Sequence, residues 1–371
     1  MIRFIHTADW QIGMKALGVG SASQTVRDAR LASIERLVEI ANDRSAELML
    51  VTGDIFEDNA VDRVLVRKVG EMLRSFQGMA YIIPGNHDPL TPGSVWEHAV
   101  WRELSNVTVI RENTPIELEE CILYPFPLKE KYSTRNPTSW IKAEDSTKIA
   151  IGLGHGNVEG LPDMEPDFPI PPDAPARTGL DYLAIGHWHS YAPYPDASGA
   201  VRLAYSGTHE TTKFGERDSG NVLLVEIEKR GAVPNVECIH TGELNWVTQD
   251  IVIDREGALT EVLKVINQIE KPDSTLIRLR LSGVLFASDR AMLNSLIEIL
   301  EARFLFGILM SEKLIPAPDD DTWIEALPFG PIRETANLLR EQAINGMSES
   351  DKSIATQALF QLFELQEKAA S

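Results

Sequence analysis

The chain reads as an α/β protein on three observations. Apolar runs of strand length alternate with segments of helical apolar spacing through the first half. The runs are compact and continuous, as in buried strands. Each is followed at once by a polar or glycine-containing loop, where an α/β sheet carries its functional groups.

The elements follow in order. Arg3–Ala8 is a predicted strand, with Asp9-Trp10-Gln11 at its end. A polar loop leads to Leu31, Ile34, Leu37, Val38 and Ala41, spaced as one helix face. Leu48–Val51 is a strand, and Thr52–Asp58 follows it. Leu65, Val69, Met72 and Phe76 mark a second helix. Ala80–Ile83 is a strand closed by Pro84-Gly85, which presents Asn86-His87-Asp88 on a turn.

After Asn106 the strands shorten. Ile149–Gly154 runs into His155, and Tyr182–Ile185 delivers Gly186-His187-Trp188-His189. Pro162–Pro175 is a Pro-rich acidic segment, expected as a surface loop. Arg202–Gly207 and Asn221–Glu226 are further strands.

Near Gln249 the character shifts to a small α+β pattern. Ile251–Ile253, Leu276–Leu281 and the stretch near Ile308 are strands. Val262, Ile266 and Ile269 mark one helix, and Leu293, Leu296, Leu300 and Phe304 another. Pro316–Asp321 is expected as a linker. Two amphipathic helices close the chain, one carrying Ile332, Ala336, Leu339 and Ala343, the other Ile354, Ala358, Leu362 and Leu365. The expected segments are 1–248, 249–327 and 328–371.

Composition narrows the classes. The 371 residues suffice for one large domain and a smaller one. No apolar stretch is long enough to cross a bilayer, so no membrane partner is expected. The strand-like start at Met1–His6 leaves no signal peptide in the reading. Two distant cysteines, Cys121 and Cys238, argue against a disulfide framework or a cysteine zinc site and for a cytoplasmic setting. With 55 acidic against 35 basic residues the net charge is -20, so global charge does not steer the chain to nucleic acid.

The recurrent chemical feature is a ligand-type residue directly after a strand: Asp9, Gln11, Asp54, Asn86, His155, His187 and His189. These are oxygen and nitrogen donors without sulfur, suited to Mn²⁺, Fe²⁺ or Zn²⁺. Seven donors exceed one ion and match two. His87 is left over as a group able to protonate a leaving oxygen or bond a transition state.

Asp9-Trp10-Gln11, Gly53-Asp54, Gly85-Asn86-His87-Asp88, the His155 segment and Gly186-His187-Trp188-His189 together resemble the calcineurin-like metallophosphoesterase superfamily. Within it, His6–Trp10, Gly53–Phe56, Tyr205–Thr208, Phe214-Gly215-Glu216 and Gly220–Ile227 resemble the SbcD-type nuclease subunits of double-strand-break repair. The resemblance implies a four-layer α/β sandwich of two sheets flanked by helices, followed by a small α+β cap that helps grip duplex DNA.

It also implies two divalent metal ions, with Mn²⁺ favoured. One would be held by Asp9, Gln11, Asp54 and His189, the other by Asp54, Asn86, His155 and His187. Asp54 would bridge them, and His87 would take the acid or transition-state role. The chain departs from the pattern at Gln11, where relatives carry His; a neutral amide there implies weaker binding and a tilt from zinc toward manganese. Glu57 stands where some relatives have His.

The expected activity is metal-dependent exonuclease and endonuclease cleavage of DNA. The implied partners are DNA, a second copy in a homodimer, and an SbcC-like ABC-type ATPase with a coiled coil. The rivals are a small-nucleotide phosphodiesterase and a DNA-end-binding scaffold with a weakened metal site. Lys129, Lys131 and Arg135 around Tyr132, and Lys213 and Arg217 around Phe214, are the candidate phosphate contacts. Arg278 and Arg280 read equally as the wet face of a strand. His6 reads as a packed core residue, and His98, His209 and His240 as structural or surface groups.

Overall fold

The computed structural model describes residues 1–143, 147–160 and 167–370. The chain divides into two compact units, Met1–Asn245 and Trp246–Ser371, so residues 328–371 share a unit with residues 249–327.

The first unit begins with β1 (Ile2–Thr7), α1 (Ser23–Asp43), β2 (Leu48–Thr52), α2 (Arg63–Arg74), β3 (Met79–Ile83), α3 (Val100–Glu103) and β4 (Val107–Val109). It continues through β5 (Ile116–Glu117), β6 (Cys121–Pro125), β7 (Ile149–His155), α4 (Ala174–Thr178) and β8 (Tyr182–Gly186). It ends with β9 (Ala192–Pro195), β10 (Val201–Tyr205), β11 (Asn221–Ile227) and β12 (Asn235–His240). Two six-stranded sheets result, ordered β12-β11-β1-β2-β3-β4 and β5-β6-β7-β8-β10-β9. Strands β1 to β4 are mutually parallel, as are β6, β7, β8 and β10, so the loops that follow them leave each sheet at one edge.

The period of two in a strand sorts the apolar runs into layers. Ile5, Met49, Val51, Ala80 and Ile82 face α1 and α2 and pack on Ile34, Leu37, Val69 and Leu73. Their neighbours Phe4, Leu48, Leu50, Tyr81 and Ile83 face the second sheet and meet Leu123, Ile151, Leu153, Tyr182 and Ala184. The far face of the second sheet, with Ala150, Leu183, Ile185 and Leu203, is covered by Phe126, Ile141, Val158, Ile170 and Ala174 of α4. The result is two sheets face to face with helices outside, the mixed α/β class expected.

His6 lies on the inner face of β1 and is fully buried. Its Nε2–H donates to the Ile185 carbonyl at 3.1 Å, and its Nδ1 accepts from the Tyr182 hydroxyl at 3.1 Å. A carbonyl can only accept, which fixes this tautomer. Burial drives its pKa down to about 3, so the ring is a neutral hydrogen-bonded tie between the sheets.

Two local readings are corrected. Helix α2, capped where Asp62 accepts the Val64 N–H at 2.8 Å, ends at Arg74. Phe76, expected on its apolar face, enters the core from the turn beyond. Of the expected Pro162–Pro175 loop, residues 162–166 lie outside the described residues, and Ala174 and Pro175 already belong to α4.

The second unit holds β13 (Asn245–Ile253), α5 (Ala258–Asn267), β14 (Thr275–Leu285), α6 (Arg290–Arg303) and β15 (Phe306–Pro316), with sheet order β13-β14-β15. Leu259, Val262 and Ile266 of α5 and Leu296 and Leu300 of α6 pack on Ile277, Leu279 and Leu281. Arg280 is on the exposed face and pairs with Asp250 at 2.6 Å.

The expected linker is not one. Pro316 ends β15, Ala317 and Asp320 are buried, and the Asp320 carboxylate pairs with Arg290 and accepts from Thr322. A run rich in Asp and Pro reads as solvated when its cationic partner lies 30 residues upstream.

The chain ends in α7 (Thr322–Ala326), α8 (Pro331–Asn345) and α9 (Glu349–Ala370), with Ile324, Leu327, Ala336 and Leu359 at their common core. The apolar face expected for α9 is displaced by one residue: Ala355 and Leu359 are buried, while Ile354 and Leu365 are exposed. This helix is apolar on two faces, so spacing alone does not choose between them.

Candidate metal centre

Each candidate donor is placed by the end of a parallel strand, and the backbone there is unusual. Asp9, Gln11, Asp54 and His187 all have positive φ, at 54°, 43°, 55° and 111°. Such conformations cost L-residues about 1–2 kcal/mol each and persist only where the surroundings impose them. The surroundings are visible. The Asp9 N–H donates to the Gly53 carbonyl at 3.1 Å, and the Gln11 N–H to the Asp54 carbonyl at 2.9 Å, lacing the loops after β1 and β2. Arg30, buried on α1, donates to the carbonyls of Trp10 and Glu210.

The glycines before the donors are required by space. A Cβ on Gly53 would strike the His155 ring, one on Gly186 the Thr52 carbonyl, and one on Gly85 the Asp54 carboxylate. Asp88 clamps the same loops, accepting the Gly85 N–H at 2.8 Å and the Phe56 N–H at 3.0 Å. Its burial, with Asp54 close by, raises its pKa to about 7.

The donor atoms converge. His155 Nε2 lies 2.8 Å from Asn86 Oδ1, 3.3 Å from Asp54 Oδ2 and 3.3 Å from His187 Nδ1. His187 Nδ1 is 3.2 Å from Asn86 Oδ1. His155 Nδ1–H donates to the Thr52 carbonyl at 2.9 Å, which turns Nε2 toward the cluster. Burial, then the neighbouring His155, lowers His187 to about 3, so that ring is neutral.

An amide oxygen, a carboxylate and two imidazole nitrogens therefore crowd together, an arrangement that calls for a positive charge among them, either a proton on His155 or a bound cation. Octahedral ligands at about 2.1 Å from one ion stand about 3 Å apart, the spacing seen here. The residues fit a divalent cation.

Asp9 joins from the other side. Its carboxylate accepts the His187 N–H at 3.0 and 3.2 Å, and Asp9, Asp54 and His155 each offer a ligating atom within 4.8 Å of the others. Burial pushes the Asp9 carboxyl above its usual range. Burial opposes ionisation of Asp54 too, but His155 and His87 hold it down to about 2. His189 is anchored separately, Nδ1 to Glu216 Oε1 at 2.7 Å. Gln11 is buried at the same strand end. His87 stands beside the cluster, its N–H on Asp54 Oδ1 at 2.9 Å and its Nδ1–H on the Glu57 carbonyl at 2.9 Å.

Sequence reasoning missed Arg30, Thr52 and Glu216. Arg30 had a signal: with Val26 and Ile34 it occupies the core-facing stripe of α1, where an arginine belongs only if it is used.

A metal-free pH series follows from the His155 environment. Burial alone would lower its pKa from 6.5, but Asp54, Asp9 and the Thr52 carbonyl outweigh it and raise it to about 9. A raised folded-state pKa gives stability that is full below the unfolded value and is lost as pH rises through the folded one. Chelator-treated protein is therefore expected to lose stability as pH climbs from 6.5 through about 9. Manganese-saturated protein, in which a cation replaces the proton, is expected to stay level. Urea midpoints across that range check this, and parallel curves would contradict it.

The profile of the calcineurin-like phosphoesterase family matches residues 2–191. The uncharacterized metallophosphoesterase YhaO of Bacillus subtilis (strain 168) is 21% identical over 341 residues, covering 84% of this chain and 82% of that protein. Among solved structures, TT1561 of Thermus thermophilus matches with TM-score 0.44 and 13% identity, over 65% of this chain and 99% of that one. The calcineurin-like phosphoesterase YfkN from Bacillus subtilis matches with TM-score 0.38 and 11% identity, over 65% and 90%.

Proposed function

The chain belongs to the calcineurin-like phosphoesterase family, and on that premise we propose that it is a two-metal DNA nuclease of the SbcD type. As a member of that family it is a metal-dependent hydrolase of phosphoesters. The observation that carries the reading is the convergence of Asn86, His155, His187 and Asp54 donor atoms at 2.8–3.3 Å.

We assign Asp54, Asn86, His155 and His187 to one ion and Asp9, Gln11, Asp54 and His189 to the other, with Mn²⁺ as the preferred metal. Held there, divalent ions would supply an activated water and offset the charge building on the phosphoryl oxygens. The chain's own residues do the rest. Asp54, shared by both sets in this assignment, would bridge them. His87, with Nδ1–H committed to the Glu57 carbonyl, leaves Nε2 for the substrate, and as the imidazolium it would bond the phosphoryl oxygen or give its Nε2 proton to the leaving oxygen, ending as the neutral Nδ1–H ring.

A nucleic acid substrate is supported by the adjoining cavity. It measures about 420 Å³ and is lined by His187, Trp188, His189, Lys213, Phe214 and Glu216. Trp188 and Phe214 offer apolar faces to a base, and exposed Lys213 offers a cation to a neighbouring phosphate. In the second unit, exposed Phe329, Leu338, Met347 and Ile354 support docking of a partner such as the coiled coil of an ABC-type ATPase. A homodimer is part of the same proposal.

The test is cleavage of linear duplex, hairpin and single-stranded DNA with added Mn²⁺, beside bis(p-nitrophenyl) phosphate, for wild type and His87→Ala. Manganese-dependent DNA cleavage that falls roughly 10²-fold in the variant is the expected result. Turnover of the small ester with DNA untouched would make the chain a small-substrate phosphodiesterase. DNA binding with neither substrate cut, even with the ATPase present, would make it an end-binding subunit.

A further inference from the structure

Glu216 lies in Lys213-Phe214-Gly215-Glu216-Arg217-Asp218, a stretch with the composition of a solvated loop. Its side chain is nonetheless 4% exposed. Gly215, with φ 98°, lets the chain turn where other residues would be strained. The Glu216 carboxylate then receives three donors. The Thr212 N–H reaches Oε2 at 2.7 Å, the Thr212 hydroxyl reaches Oε1, and His189 Nδ1 reaches Oε1 at 2.7 Å. A carboxylate so surrounded only accepts, so the proton of this last bond sits on Nδ1, and whenever the ring is neutral its free lone pair is on Nε2.

The two donor sets assigned above are supported differently. One has two imidazoles, and His155 is backed by a neutral carbonyl. The other has a single imidazole, His189, beside the neutral amide of Gln11, and this ring is backed by a buried carboxylate. We propose that Glu216 is a positioning residue for a divalent cation at the Asp9–Gln11–Asp54–His189 set: it fixes His189 with Nε2 as the ligand atom and places a negative charge behind the ring. It thereby offsets the weak donor at Gln11. Carboxylate support of this kind is worth about 10- to 100-fold in metal affinity. The inference rests on the ligand assignment given under the proposed function.

The experiment is equilibrium dialysis of the full chain against Mn²⁺, with long-range ¹⁵N NMR of the metal-free protein. Wild type is expected to bind two ions, with His189 in the Nδ1–H form. Glu216→Gln is expected to weaken one class of site about 10- to 100-fold and leave the other unchanged. Adding Gln11→His to Glu216→Gln is expected to restore the weakened class, because a second imidazole replaces the missing basicity.

Unchanged binding in Glu216→Gln, equal weakening of both classes, or no rescue would overturn the proposal. An Nε2–H tautomer in wild type would do so without any variant, as would binding of fewer than two ions. The two readings separate cleanly. A chain that binds as expected but hydrolyses no phosphoester refutes the proposed function alone. A chain that hydrolyses phosphoesters with Glu216→Gln binding unchanged refutes the role of Glu216 alone.

Discussion

Asp54→Asn is expected to lower phosphodiester hydrolysis by about 10⁴-fold or more, the largest effect of any single substitution in the centre. Asp54 is the one side chain common to both proposed donor sets. Its Oδ2 meets His155 Nε2 at 3.3 Å, and its Oδ1 accepts the His87 N–H at 2.9 Å. Asparagine has the same shape. Its oxygen still accepts the His87 N–H and its amide still meets the His155 ring, so folding is retained. What disappears is the charge. Because the Asp54 carboxyl is held down to about 2, that charge is present throughout the working pH range, and no pH adjustment restores the variant. Manganese stoichiometry and kcat/KM on bis(p-nitrophenyl) phosphate, measured on a variant with wild-type circular dichroism, give the answer. Near-normal turnover would remove Asp54 from the chemistry.

The second large effect is steric. Gly85→Ala is expected to cost about 2–3 kcal/mol of stability and more than about 10²-fold in kcat/KM. Gly85 has no positive φ, so the backbone itself would accept alanine. The obstacle is that the new Cβ would overlap the Asp54 backbone nitrogen and carboxylate. Neither neighbour can give way. The Asp54 nitrogen belongs to the laced loop, and the Gly85 N–H is held by Asp88 at 2.8 Å. The variant must either push the carboxylate away from His155 or spread the loops after β2 and β3. Thermal unfolding and kinetics on one preparation test this. A variant as stable and active as wild type would mean the loops are more compliant than the packing implies.

What was legible in the sequence, and what was not, has one physical root. Met49, Leu50 and Val51, or Ile151 and Leu153, form continuous apolar runs because their strands are covered on both faces. The polar residue after such a run therefore stands out, and Asp54 and His155 could be read directly. Phosphoester chemistry follows from that pattern and from the family match. Neither Glu216 nor Arg30 follows an apolar run, and of the two only Arg30, on the core-facing stripe of α1, leaves a signal in the spacing. Each is a charged residue whose partner, His189 or the carbonyl of Glu210, lies 27 or 180 positions away. Local composition assigns such residues to solvent. The burial of Ala317 and Asp320 and the face of α9 escape the sequence for the same reason. Burial of a short, mixed or doubly apolar segment is decided by what folds against it, which spacing does not report.

The donors lie at the ends of strands from both sheets: Asp9, Asp54 and Asn86 after β1, β2 and β3, His155 and His187 at β7 and β8. For biosynthesis this has a plain meaning. On the proposed assignment, the Asp54–Asn86–His155–His187 set is complete only after residue 187 has been made and the other set only after residue 189, and both need the two sheets closed, an event that β11 joins when Ile2 pairs with Ile227. On that assignment, metal added during synthesis would bind only the closed sandwich, and mass action would pull nascent chains toward it. The ion set would act first as an assembly clamp on the polypeptide and only afterwards as a reagent.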